Sequence, residues 1–187
     1  MGGELQLIED LVNTRFADAG TDELASPEAL ATWLAARGVD ATVRRSDLER
    51  VLVVREGLRA AAARNNAGEH AGVDDVPDVV APGALEQLAA LAPELALVLD
   101  VTAEAPALVP LPGAGPVDAF LARLLGAVAV AVADGSWKRM KACGQPGCRW
   151  AYHDSSRNTS RAWCDMASCG NRAKARAFRE RHKDPSG

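Results

Sequence analysis

Four cysteines carry the chemistry that can be read from this chain. They stand as two pairs, Cys143-x4-Cys148 and Cys164-x4-Cys169, separated by fifteen residues. Four thiolates satisfy the tetrahedral preference of Zn2+ with no further ligand. A short loop between two cysteines brings both sulfurs to one metal, and Gly144, Pro146 and Gly147 supply the first loop with turn residues. The expectation is one structural zinc ion on Cys143, Cys148, Cys164 and Cys169. Such a site keeps no open coordination position, which argues against hydrolytic zinc chemistry. His153 and His182 are alternative ligands, but four cysteines already complete the site. A hairpin hydrogen bond for His153 and a solvated helical position for His182 are the remaining roles.

Paired cysteines can also mark disulfides. Glu4, Glu9, Asp10, Arg15 and Asp18 interrupt any apolar run at the start, so no secretory signal is read there. The longest apolar run, Leu124 to Ala133, is ten residues and too short to span a bilayer. The expected location is cytoplasmic, with no membrane partner. In a reducing compartment such cysteines are metal ligands rather than disulfides.

The residues around the cysteines are basic. Residues 1–136 carry a net charge of −12 and residues 137–183 a net charge of +9. A compact basic unit points first at nucleic acid, and the acidic remainder could mask it when the two are close. Cys169 leads into a strongly helix-forming run, on which Arg172, Arg176, Arg179 and Lys183 recur at i, i+4, i+7 and i+11 on one face. Lys174 adds a further cation. Phe178 and Ala175 fall on another face and are expected to pack against Trp150 or Trp163. Residues 149–154 and 161–163 look like two short strands flanking a turn at residues 155–160. That turn offers Arg157, Asn158 and Arg161 beside several hydroxyls, the usual phosphate-contacting set. A basic helix beside a basic turn suits DNA, and a protein-binding surface is the alternative.

These elements need a scaffold. The chain of 187 residues suffices for one ordinary domain and a small appendage, here expected as residues 1–136 and 137–187. Aromatics are only 4%, so the core must be built from small aliphatics, which favours close-packed helices. Leu5, Ile8, Leu11 and Val12 mark an amphipathic helix. Ser26-Pro27 starts a second helix, which ends at Gly38. Ser46 and Glu49 fit a capping box for a long third helix, ending near Asn65. Residues 68–80 read as a loop and residues 82–92 as a helix. Residues 95–101 and 107–111 form a candidate hairpin. Pro116 starts an apolar helix to Ala133, expected in the core. The expected class is α+β, mainly α, with a treble-clef-like zinc module of knuckle, hairpin and helix.

A second site is conceivable in the N-terminal part. Asn13, Thr14 and Arg15 stand directly after the apolar Leu11 and Val12, as in a helix end or a polar patch facing a pocket. Arg55 and Arg59 are expected on a solvated helical face, or else as contacts to an anionic effector. No nucleophile–base pair, phosphate-binding glycine loop or paired carboxylates appear, so an enzyme is not expected.

The run from Trp150 to Lys174, with the tetrad Cys169-Gly170-Asn171-Arg172, resembles the CGNR-type zinc finger. The segment Asp10-Leu11-Val12-Asn13-Thr14 resembles the ABATE domain usually joined to it. The pairing implies a bacterial stress-responsive transcription regulator, with zinc on the four cysteines. His153 departs from the aromatic or aliphatic residues usual before Asp154. The functional expectation is a one-component regulator: an N-terminal domain that senses a small molecule or forms a homodimer, and a zinc module that binds DNA. A zinc-stabilised protein-interaction adaptor is the alternative.

Overall fold

The structure, a computed structural model, describes residues 3–66, 77–102 and 104–182. Helix α1 (Gly3–Val12) buries Leu5, Ile8, Leu11 and Val12, the expected stripe. Helix α2 (Pro27–Ala35) starts where Ser26 Oγ accepts from the Ala29 amide at 3.2 Å. Gly38, at φ +74°, turns the chain after it. Helix α3 (Arg45–Arg64) runs through the middle of the molecule and packs on α1, α2 and helices α4 (Ala84–Leu91) and α5 (Pro116–Ala133).

The start of α3 differs from expectation. Its cap is Arg44, whose amide donates to Asp47 Oδ2 at 2.8 Å while the guanidinium grips both carboxylate oxygens at 3.1 Å. That clamp holds Asp47 at the third helical position, so Ser46 and Glu49 form no capping box. Further along α3, Gly57 lets α4 approach closely. A Cβ there would lie 2.5 Å from Leu88 Cβ.

Strands β3 (Leu97–Asp100) and β4 (Ala107–Pro110) form the expected antiparallel hairpin, with Leu99 opposite Leu108. The hairpin leans on α5 at Gly126, where Leu97 Cδ1 comes within 2.7 Å of the place a Cβ would take. Helix α5 is long and apolar enough to cross a membrane by length and composition, yet here it is a packing element. Phe120, Leu121 and Leu124 are buried against the other helices, and Gly135 at φ +77° ends the segment. A small hairpin of β1 (Arg15–Phe16) and β2 (Thr21–Asp22) had no signal in the sequence.

The basic block is built into this scaffold. Strand β5 (Met140–Ala142) pairs antiparallel with β6 (Ala151–His153), Ala142 facing Ala151. Met140, Ala142 and Ala151 belong to the same buried cluster as Ile8, Leu11, Val12 and Val51. Here the expected hairpin is corrected. Residues 149–154 do not pair with 161–163; the partner precedes the first cysteine pair. The Cys143–Cys148 knuckle is itself the hairpin loop, and closing it places β5 beside β6. Residues 155–163 form an irregular turn. Helix α6 (Asn171–Arg181) follows a single wide turn at Met166–Gly170 that contains Cys169. Of the loop expected at residues 68–80, residues 67–76 lie outside the described residues.

Candidate metal centre and basic surface

The four sulfurs all lie within 4.8 Å of one another. Cys148 and Cys164 are 3.7 Å apart, as are Cys164 and Cys169. Zinc–sulfur bonds of about 2.3 Å at tetrahedral angles put sulfurs about 3.8 Å apart. A disulfide needs about 2.05 Å, so the spacing matches a shared cation and not a bridge. The sulfurs compete for protons. Hydrogen bonding from Cys148 and Cys164 draws the Cys143 thiol down to about 2, while pairing with Cys143 pushes Cys148 up to about 12 and raises Cys164 as well. Four anions share so small a volume only around a cation, and a divalent ion lets all four ionise. Backbone amides of Gln145 and Cys164 donate to Cys143, and that of Trp150 to Cys148. Such bonds orient thiolate ligands and spread their charge.

The tetrad after the fourth ligand has a physical role at each position. Arg172 Nη2 donates to Cys169 Sγ at 3.1 Å and to Asp18 Oδ2 at 2.7 Å. A zinc with four thiolates carries two excess negative charges, and this guanidinium offsets part of that charge. Gly170 lies under Met166 and Trp163; a Cβ there would be 2.7 Å from Met166 Sδ. Asn171 Nδ2 donates to the Ala167 carbonyl at 3.1 Å and ties α6 to the turn before it. Asp165 caps that turn, accepting from the Ser168 amide at 2.8 Å.

A second cluster holds the turn at residues 155–160. Asp154 is fully buried and accepts from Lys141 Nζ at 2.8 Å, the Ser156 amide at 2.9 Å and the Arg161 amide at 3.0 Å. Burial raises its carboxyl, but the Lys141 ammonium and the Ser156 donors outweigh that and hold it down at about 2. Lys141 Nζ also reaches the Thr159 carbonyl at 2.6 Å and the Arg161 carbonyl at 3.1 Å. Thr159 sits at φ +52°, a strained position for a β-branched residue, and this grip stabilises it there. Lys141 and Asp154 are therefore positioning residues that carried no signal by motif alone.

The basic residues divide into two groups. Arg157, Asn158, Lys174 and Arg179 are exposed. Arg161 instead stacks on Tyr152, its guanidinium 4.5 Å from the ring, and donates to the carbonyls of Trp163 and Cys164. Arg172 is held as described. Arg176 is half-buried and donates to Gln145 Oε1 at 3.3 Å. Lys183 lies outside the described residues. Phe178 does not pack on a tryptophan: it is 55% exposed and stacks on His182. Trp150 meets Phe16 of β1 edge-on, and Trp163 covers Gly144 and Gly170, so both sites were already taken.

The polar residues expected around an effector pocket lie at the joint between the acidic and basic parts. Asn13 donates to the Ala151 carbonyl at 2.9 Å and accepts from the Ala151 amide at 2.8 Å, pairing with the edge of β6 like another strand residue. Arg59 is wholly buried; it donates to the carbonyls of Val12 and Arg149 and pairs with Glu56 at 2.8 Å. Arg55, also buried, forks onto Asp22 at 2.7 and 2.8 Å and meets Glu56. The solvated face expected for these two arginines is overturned. They share a helical face with the buried Val51, Val54, Leu58 and Ala62. Arg15 is half-exposed and lies 3.8 Å from Glu56. Asn65 and Asn66 complete the joint, donating to the carbonyls of Trp137, Met140, Ala142 and Ala162. The acidic part also pairs Asp78 with Arg149.

A comparison with curated proteins gives no match. Two family models do match, each over one part of the chain. The CGNR zinc finger model covers residues 139–182 and contains all four cysteines, whose clustering fits one structural zinc ion. The ABATE model, described as "Putative stress-induced transcription regulator", covers residues 5–135, well over half of the sequence. The chain therefore belongs to the ABATE family, the family that carries this description, and includes a CGNR zinc finger.

Proposed function

We propose that the protein is a transcription regulator that binds DNA through residues 137–187, with residues 1–136 as the regulatory part. The observation that carries this reading is the set of exposed donors left over once structural bonds are assigned: Arg157 and Asn158 on the turn, Lys174 and Arg179 on α6. Zinc launches α6, and the Lys141–Asp154 pair shapes the turn. Cations and amides of this kind contact phosphates. Arg161, Arg172 and Arg176 act chiefly in holding these elements, and contribute to DNA affinity through position.

The test is fluorescence anisotropy of the zinc-loaded full chain on a mixed pool of labelled duplexes at several salt concentrations. Each phosphate contact removed should lower the slope of log K against log salt by about 0.9. The triple variant Arg157→Ala/Lys174→Ala/Arg179→Ala should flatten the slope by about 2 to 3 in total, with zinc content and melting temperature unchanged. An unchanged slope would show that these residues do not contact DNA. The adaptor reading keeps one specific support, the exposed apolar side chains of Met166 and Phe178 beside those cations. Loss of binding to an acidic partner protein in Phe178→Ala, with no retention on DNA at moderate salt, would favour it.

A further inference from the structure

A cavity of about 580 Å3 opens beside the cysteine cluster, between the β1–β2 hairpin and the turn that launches α6. Phe16, 42% exposed, and Trp150 give it an apolar wall, and Cys148, Cys164 and Cys169 also line it. The volume lies in the range of small-ligand sites, about 300 to 1,000 Å3. The four cysteines are not equally protected. Cys143, Cys148 and Cys169 are buried, whereas Cys164 is only half-buried. Cys143 accepts from the amides of Gln145 and Cys164, Cys148 from that of Trp150, and Cys169 Sγ from Arg172 Nη2 at 3.1 Å. Such bonds spread thiolate charge and lower its nucleophilicity.

Cys164 Sγ also stands 3.7 Å from the sulfurs of both Cys148 and Cys169. A disulfide needs about 2.05 Å, so either partner closes the bond with a shift of about 1.7 Å. The charges around the cavity disfavour anions. Asp18 and Asp165 outnumber Arg172 in its lining, and a zinc with four thiolates adds two negative charges. A neutral reagent with an apolar body and a small polar end suits this setting. Among oxidants of thiolates, an organic hydroperoxide has that form.

We propose that Cys164 is a modification site for organic hydroperoxides, which convert the cysteine cluster to a disulfide. The organic group lies against Phe16 and Trp150, and the Cys164 thiolate attacks the terminal peroxide oxygen. An S–O bond forms as the O–O bond breaks, and the alkoxide takes a solvent proton and leaves as an alcohol. Cys148 or Cys169 then attacks the sulfenic sulfur. The S–S bond forms, the S–O bond breaks, and hydroxide takes a second proton and leaves as water. Two thiolates thereby give two electrons to one peroxide. Zinc, left two ligands short, is released. Helix α6 packs mainly on the turn at Met166–Gly170, which holds Cys169, so loss of zinc frees the helix that carries Lys174 and Arg179. Only the last consequence, a fall in DNA affinity, rests on the DNA-binding reading above.

The zinc-loaded full chain, treated with cumene hydroperoxide or hydrogen peroxide beside a chromophoric zinc chelator, tests this. Peroxide-dependent release of zinc is expected, and differential alkylation with peptide mapping should place the bridge on Cys164 with Cys148 or Cys169. Against glutathione as the reference thiol, the chain should favour cumene hydroperoxide over hydrogen peroxide by about tenfold, through burial of the apolar group. Phe16→Ala should lower that preference. Ala167→Trp, at an exposed position on the cavity margin, should lower it too, with zinc content and melting temperature as in the parent. No peroxide-dependent release, a bridge without Cys164, or no preference beyond that of glutathione would overturn the proposal. So would a preference unchanged in both variants. None of these readouts uses DNA, so this proposal and the DNA-binding reading fail separately.

Discussion

The buried Lys141–Asp154 pair is the most exacting test of how the zinc module is held. Replacing Asp154 by asparagine keeps the shape and removes one charge. Lys141, only 4% exposed, would keep its ammonium with two carbonyl partners and no counter-ion. Breaking a buried pair from one side costs about 3 to 5 kcal/mol, and the two remaining carbonyls place this case near the lower end. An amide also has one acceptor oxygen where the carboxylate used two. Either the Ser156 or the Arg161 amide must then face an NH2 group, at about 1 kcal/mol or more. The sum is about 4 kcal/mol, a large share of a domain stability of about 5 to 15 kcal/mol. Urea unfolding of the zinc-saturated protein measures it. A double-mutant cycle with Lys141→Met should show coupling of about 2 kcal/mol, because Met leaves no stranded ammonium. A loss below about 1 kcal/mol for Asp154→Asn, or additive single and double variants, would refute the reasoning.

Three further outcomes follow from the same structure. Because Asp154 is held at about 2, its stabilising effect is complete above the ordinary carboxylate range and is lost as pH falls from about 4 towards 2. The difference in melting temperature between parent and Asp154→Asn should shrink across that interval, and a constant difference would contradict the assigned cause. Asn13→Ala strands both polar groups of Ala151 at the joint and should cost about 2 to 4 kcal/mol by urea unfolding, with zinc content retained at first. Removing zinc with a chelator should release one ion per chain and lower the helical signal of α6, and re-addition should restore it; retention of that signal would place the folding energy elsewhere.

Much of the scaffold was legible in local pattern. The stripe Leu5, Ile8, Leu11 and Val12, the Ser26-Pro27 start and the hairpin at residues 97–110 each depend on neighbours a few positions apart, and local rules describe them. The cap of α3 was misplaced because Ser46 and Glu49 fit the local capping pattern, whereas the first turn is closed two residues earlier by Arg44 on Asp47. The hairpin of the zinc module was misassigned because residues 149–154 and 161–163 alternate like strands, while the pairing is decided by the knuckle that precedes them. Arg55 and Arg59 look like surface charges until Asp22, Glu56 and the carbonyls of Val12 and Arg149 gather around them.

What the cysteines do was determined by the sequence alone. Ligand type, number and turn residues specify a closed tetrahedral zinc site whatever the rest of the chain does, because coordination geometry is nearly independent of context. What the arginines do was decided only by tertiary structure. A guanidinium has five donors and no intrinsic address. Arg161 and Arg172 became structural because a carbonyl, a sulfur and Asp18 stand within reach, whereas Arg157 and Arg179 stayed exposed. The same holds for the joint. Asn13 lies in a local motif, but its partner Ala151 is 138 residues away, and only the packed core of α1, α3, β5 and β6 brings them together.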